Sequence, residues 1–320
     1  MNIQQQAMAF TRAYMLFEQI YERGVTVDNR EILSALPGFP VIDTDNLDRL
    51  AAQHYQVFGQ NVFPYASVFL SEDGLPGGTI TDEATRFYQD CGYVPDITDT
   101  ADHVAIAMGL LCWLCGAEHD AHEDNADFHV SRLRALQQRF LDDYLLRWLP
   151  VFVFAVHNQN VEFYASLAQQ SLDLILVHRA GLDNVLPLNQ SVFALPEVPD
   201  LISQEKTSLR DISGYLLTPA HTGFFISKDE IRIIAKKHHL PHGFGSRQQI
   251  LTNLLRTAAA YEQIDAVFAE FAEIVLRWQS FYTELELLPD MIKSVWLNQL
   301  DETETIIRAL RKMAATQRLS

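Results

Sequence analysis

Lysine is missing from the first 205 residues of this 320-residue chain. Residues 1–200 hold ten arginines as their only Lys or Arg cations, against 27 Asp and Glu, and so carry the whole formal charge of −17. Residues 201–320 hold 14 charges of each sign and are neutral. A field of that sign repels nucleic acid and anionic membrane, and draws cationic ligands or basic peptides. Charge kept only for solubility stays open as the plainer alternative.

Cysteine is nearly missing as well. Cys91, Cys112 and Cys115 are too few, and odd in number, for a disulfide scaffold. Cys112-Trp-Leu-Cys115 has CxxC spacing but lies in the apolar run GLLCWLCGA with no second CxxC, so buried packing is expected over redox or metal chemistry. Long apolar runs are also lacking. The longest, Val104 to Ala117, falls short of the roughly 18–20 residues that cross a bilayer. The N-terminal stretch lacks a basic region followed by an apolar block and a small-residue cleavage site; it reads as an amphipathic helix with Phe10, Tyr14, Phe17 and Tyr21 near one face. A cytoplasmic location is therefore expected, without stable membrane insertion. Catalytic signatures are missing too: there is no GxSxG, HExxH, Walker sequence or strand-borne GxGxxG. The chain is expected to bind rather than catalyse, with no catalytic residue, no cofactor and no metal.

What is present is helical periodicity. It predicts helices near 3–23, 44–58, 81–91, 101–116, 128–146, 148–157, 160–178, 205–217, 228–238, 246–259, 262–284 and 289–317, and almost no strand alternation. Thr81-Asp-Glu opens one helix that Gly92 closes, and Ser227-Lys-Asp-Glu230 is a capping-box pattern. Pro150 should break or kink its helix. Three prolines between Leu186 and Asp200, with no helical period, mark a linker where the charge balance changes. The expectation is an all-α protein: a helical bundle over residues 1–185, a proline-containing linker over 186–204, and a small helical C-terminal domain of unknown role over 205–320.

Four segments carry candidate chemistry. Asn61-Val-Phe-Pro-Tyr-Ala-Ser-Val-Phe-Leu70, followed by a loop with Gly74 and Gly77-Gly78, combines a rigid turn and aromatics; a ligand-facing surface and a packed loop both remain open. Asp102 and His103 open an apolar helix, where Asp can serve as a cap and His as a structural residue. Glu118-His-Asp-Ala-His-Glu-Asp124 offers metal-ligand types but reads first as a solvated loop. His238-His-Leu-Pro-His-Gly-Phe-Gly-Ser-Arg247 reads as a tight turn between helices.

Several pieces, in order over residues 50–178, resemble the TorD/DmsD/NarJ family of redox-enzyme maturation chaperones. They are Tyr55-Gln-Val-Phe58, Phe63-Pro-Tyr-Ala-Ser-Val-Phe-Leu70, Phe87-Tyr-Gln-Asp-Cys-Gly92, Ala101-Asp-His-Val-Ala105, Phe140-Leu-Asp-Asp-Tyr-Leu-Leu-Arg-Trp-Leu-Pro150 and Phe163-Tyr-Ala-Ser-Leu167. The family's usual Pro before Asp-His is Ala101 here, its following acids are Ala107 and Gly109, and Ala66 stands where Glu is frequent.

The resemblance implies an all-helical cytoplasmic chaperone. Its partner would be the apo catalytic subunit of a molybdopterin oxidoreductase, held by its twin-arginine leader or N-terminal segment until the molybdenum cofactor is loaded, so that export is delayed. It implies client contact at Asp102, His103, Ser67, Phe69 and Leu70, with Pro64, Tyr65 and Trp148 as neighbours, and leaves a homodimer open. Paired arginines and an apolar stretch need carboxylates for the guanidinium forks and an aromatic groove, and residues 1–200 are rich in both. Two other readings stand beside it. One is a metal- or cofactor-using helical enzyme built on Glu118, His119, His122 and the Cys112/Cys115 pair. The other is a regulatory adaptor acting through residues 205–320.

Overall fold

The computed structural model describes residues 3–35, 39–40, 46–182, 192–203, 207–241 and 243–317. The protein is all-α: the described residues contain no strand, only an isolated bridge between Tyr65 and His103. The chain folds as two compact units. Residues 1–67 and 76–193 form the first; residues 68–75 and 194–320 form the second.

In the first unit, α1 (Ile3–Arg23) buries Ala7, Phe10, Tyr14, Phe17 and Tyr21, the three-and-four spacing that puts one stripe against a neighbour. That neighbour is α6 (Val104–Glu123). The short α2 (Arg30–Ala35), α3 (Leu47–His54) with a π-helical turn at Tyr55–Asn61, and α5 (Thr79–Cys91) precede α6. Between the π turn and α5 comes α4 (Ala66–Leu70), whose first two residues belong to the first unit and whose last three belong to the second. After α6 run α7 (Asp127–Phe140), a π-helical turn at Leu141–Leu145, α8 (Leu146–His157) and α9 (Glu162–Ala180).

Two expectations need correcting here. The segment Glu118–Glu123 is not a loop but the last turns of α6, which runs seven residues past the expected end at 116. Its polar side chains have partners: buried Glu118 accepts from Arg134 Nη1 at 3.0 Å and Gln137 Nε2 at 2.8 Å, both on α7. With those turns added, α6 becomes long and apolar enough to cross a membrane, but 67% of its apolar window is buried inside the protein. Pro150, for its part, does not break its helix, since α8 runs on from Leu146 to His157.

A polar chain threads the core of this unit. Gln137 Oε1 accepts from His178 Nε2 at 2.8 Å, and His178 Nδ1 accepts from the Tyr14 hydroxyl at 2.8 Å. Together with Glu118 these bonds join α1, α6, α7 and α9. Burial holds His178 neutral, its pKa pushed down to about 3.

The second unit holds α10 (Leu209–Leu216), α11 (Pro219–Thr222), α12 (Lys228–Lys237), α13 (Arg247–Ala260), α14 (Ile264–Glu284) and α15 (Asp290–Gln317). Three helices start from complete capping boxes: Ser208 with Asp211, Ser227 with Glu230, and Ser246 with Gln249. Trp278, Tyr282 and Trp296 fill the core between α14 and α15. Gly223, at φ 78°, lies against the α15 backbone at Trp296 and Leu300, which leaves no room for a side chain. Of the expected linker, residues 186–191 and 204 lie outside the described residues, and 192–203 run without a helix. His242, one of the three histidines of the 238–247 turn, also lies outside them.

Candidate functional site

Asp102 has no exposed surface, and three hydrogen bonds occupy its carboxylate. Oδ2 accepts from the Ser67 backbone N–H at 3.0 Å and from the Ser67 hydroxyl at 2.5 Å, while Oδ1 accepts from the Thr81 hydroxyl at 2.8 Å. Ser67 Oγ accepts in turn from Gly77 N at 3.0 Å. One carboxylate therefore clasps the start of α4, the glycine loop and the start of α5. Backbone bonds tighten the join: Ala66 N donates to Asp102 O at 3.0 Å, and Val104 N to Pro64 O at 2.9 Å.

His103 caps α6, its Nδ1 accepting from Ala105 N at 3.1 Å. A nitrogen used as acceptor carries no proton, so the neutral ring holds its hydrogen on Nε2. Burial lowers the pKa of His103, and the nearby carboxylates of Asp99 and Asp102 only partly oppose this. The Tyr65 ring stands edge-on to His103, with centroids 5.1 Å apart. The Tyr65 hydroxyl donates to Asp99 Oδ1 at 3.2 Å, and burial together with Asp99 raises its pKa to about 12.

The expected contact residues thus divide. Ser67, Asp102, His103, Pro64 and Tyr65 come together at this clasp, and of these only Tyr65 is half-exposed. Phe69 lies in the second unit, fully buried with its ring 5.5 Å from Phe225, and half-buried Leu70 follows it there. Trp148 is fully buried in the first unit, beside Phe152 at 5.9 Å. Phe69 and Trp148 therefore serve packing and offer no free surface to a ligand.

Sequence reasoning passed over the charged residues around the clasp. Asp99 borders Tyr65, and Glu22 acts on His103 from α1. Glu22 and Asp96 both act on Glu18, which burial and these like charges raise to a pKa of about 6. Exposed Phe63 and Tyr55 add apolar surface to the same unit. The one available signal was that Glu18 and Glu22, four residues apart, flank the buried positions Phe17 and Tyr21.

The other candidates behave as packing or surface. All three cysteines are free thiols; burial raises Cys91 and Cys112 to about 11 and Cys115 well above its ordinary value, so none favours thiolate. His119, Asp120 and Glu123 place their potential ligand atoms within 4.8 Å of one another, with both acids exposed. His238 pairs with Glu270 at 3.0 Å.

Residues 22–153 match the family model described as nitrate reductase delta subunit. The selenate reductase assembly chaperone protein of Thauera selenatis is 32% identical over 110 residues, covering 34% of this chain and 55% of that protein. The chaperone protein TorD of Vibrio parahaemolyticus is 27% identical over 109 residues, covering 33% of this chain and 49% of that protein. TorD of Aggregatibacter aphrophilus is 28% identical over 159 residues, 48% of this chain and 68% of its own length. The chain spans about half the length of the first relatives it matches. These relatives bear the names of chaperones, not of enzymes. No solved structure matches. The likeness lies in the first unit, which is similar to the nitrate reductase delta subunit model and to proteins named as TorD and as a selenate reductase assembly chaperone.

Proposed function

We propose that this protein is a cytoplasmic chaperone that binds the twin-arginine leader, or another N-terminal segment, of the apo catalytic subunit of a molybdopterin oxidoreductase. It holds that subunit while the cofactor is inserted and so delays export. The observation that carries the reading is the acidic and aromatic surface around the clasp. Half-exposed Tyr65 bonds exposed Asp99 and stands edge-on to buried His103, next to a fully bonded Asp102, in the part of the chain that bears all of the net negative charge. Carboxylates supply partners for guanidinium forks, and aromatic rings take an apolar stretch.

The test uses the full chain and a fluorescein-labelled synthetic peptide carrying an Arg-Arg pair followed by an apolar stretch. Anisotropy titrations run from low to high sodium chloride. Screening shortens the reach of exposed charges from about 10 Å at 0.1 M salt to about 3 Å at 1 M, so affinity should fall with salt while a residual apolar part persists. Absence of binding, or binding indifferent to salt, would refute the proposal. Co-purification from the native host then identifies the client.

A further inference from the structure

The clasp holds both ends of one loop. Ser67 Oγ donates to Asp102 and accepts from Gly77 N, so residues 67 and 77 are pinned at a single carboxylate in the first unit. Val68–Leu75, between them, leave that unit and pack as part of the second. The loop is also braced within itself. Ser71 Oγ and Leu75 N both donate to Asp73 Oδ1, at 2.9 and 3.0 Å, and Gly74 N donates to Ser71 O at 3.3 Å. It is a short, self-bonded strap, not slack chain.

The second unit offers the strap a fixed seat. Phe69 is fully buried there with its ring 5.5 Å from Phe225. The Arg247 guanidinium stands over the Phe225 ring, 4.6 Å from its centroid, and donates to Leu217 O at 2.9 Å. Gly74, at φ 62°, approaches the same carbonyl: a Cβ on it would lie 3.6 Å from Leu217 O. Burial pulls the Arg247 pKa down to about 10, with Glu230 only partly opposing, so a costly buried cation is committed to this seat. Ser67 and Phe69 are two positions apart on the short helix α4, and Tyr65 lies two positions before Ser67. An opening that frees Phe69 therefore pulls on Ser67, and through it on the bonds to Asp102 and Gly77. Such local openings need much less free energy than global unfolding.

We infer that Val68–Leu75 is a strap by which the second unit controls client capture. Seated on Phe225 and Leu217, it keeps the clasp ordered; released, it lets Ser67 and Tyr65 loosen. This rests on the proposed function and goes beyond it by giving residues 194–320 a part in binding. Phe225 and Arg247 are then positioning residues, which act on the client only through the strap.

The experiment uses the full chain with three substitutions: Phe225→Ala, the milder Arg247→Lys, and Phe225→Leu, which keeps an apolar partner for Phe69. Hydrogen exchange of the Ser67 and Gly77 amides, followed by NMR, needs no client. Exchange should be about tenfold faster or more in Phe225→Ala, about threefold faster in Arg247→Lys, and close to the wild-type rate in Phe225→Leu. Affinity for the Arg-Arg peptide should fall about tenfold in Phe225→Ala, within the usual range for coupled sites, and recover in Phe225→Leu. Should Phe225→Ala fail to fold by circular dichroism, Arg247→Lys carries both readouts. Unchanged exchange at Ser67 and Gly77 in a folded variant overturns the inference, whatever the peptide does. Faster exchange with unchanged affinity overturns the control of client capture. A peptide that binds neither wild type nor variants counts against the chaperone reading, and the exchange rates still decide the strap.

Discussion

Asp102 offers the sharpest separation between a residue that shapes the site and one that touches the client. Replacing it with Ala removes the acceptor for the buried Ser67 N–H and hydroxyl and for the half-buried Thr81 hydroxyl. Each buried donor left unmade costs about 1–3 kcal/mol, and the rotatable hydroxyls recover part of this, so Asp102→Ala should cost about 3 kcal/mol. Asn differs in kind. Its carbonyl can keep the two Ser67 bonds while its amide donates to the Thr81 hydroxyl, which can accept. Asp102→Asn should therefore cost only about 1 kcal/mol, and Thr81→Val about the same. Urea unfolding followed by circular dichroism measures these values, with two transitions fitted because two units need not unfold together. Anisotropy with the Arg-Arg peptide supplies the second readout. A residue that only braces Tyr65 and His103 predicts near-normal peptide affinity in Asp102→Asn. Full stability combined with a large loss of binding would refute that reasoning and make Asp102 a direct ligand for arginine. An Asp102→Ala protein within 0.5 kcal/mol of wild type would refute the energetic account.

Other expectations concern the core. His178 is held neutral with its pKa near 3, below the unfolded value, so its contribution to stability is present at neutral pH and is lost as pH falls through about 6.5. By pH 5 the loss should reach about 2 kcal/mol relative to neutral pH, and a His178→Phe protein should show less of this acid sensitivity in thermal melts; equal sensitivity would count against it. The three cysteines should resist iodoacetamide at pH 7.5 in the native protein, Cys115 most of all, and react together once urea unfolds the chain. Fast native labelling of Cys112 would contradict its raised pKa.

Helix boundaries were legible where the chemistry was local. Gly92 closes α5 at φ 71°, and Ser227 and Glu230 form the expected capping box, because both devices involve residues within four positions of each other. The polar end of α6 was not legible. Glu118 looks solvated until Arg134 and Gln137, 16 and 19 residues away, are known to meet it. The site shows the same division. The resemblance pointed to Asp102, but its role depends on Ser67 and Thr81, which lie 35 and 21 residues distant. Trp148 and Phe69 were recognisable as aromatics in matching motifs, yet burial is a property of the folded neighbourhood that no motif contains.

The assignment of Val68–Leu75 to the second unit bears on how the protein can be cut. A fragment ending in the proline-rich stretch would keep Phe69 but lose Phe225, its aromatic neighbour 5.5 Å away, and would present fresh greasy surface at the tail of α4. Such a truncation invites sticking to unrelated polypeptides, a misleading trait in a molecule tested for client capture. Dissection is better done by point substitution in the intact polypeptide than with scissors.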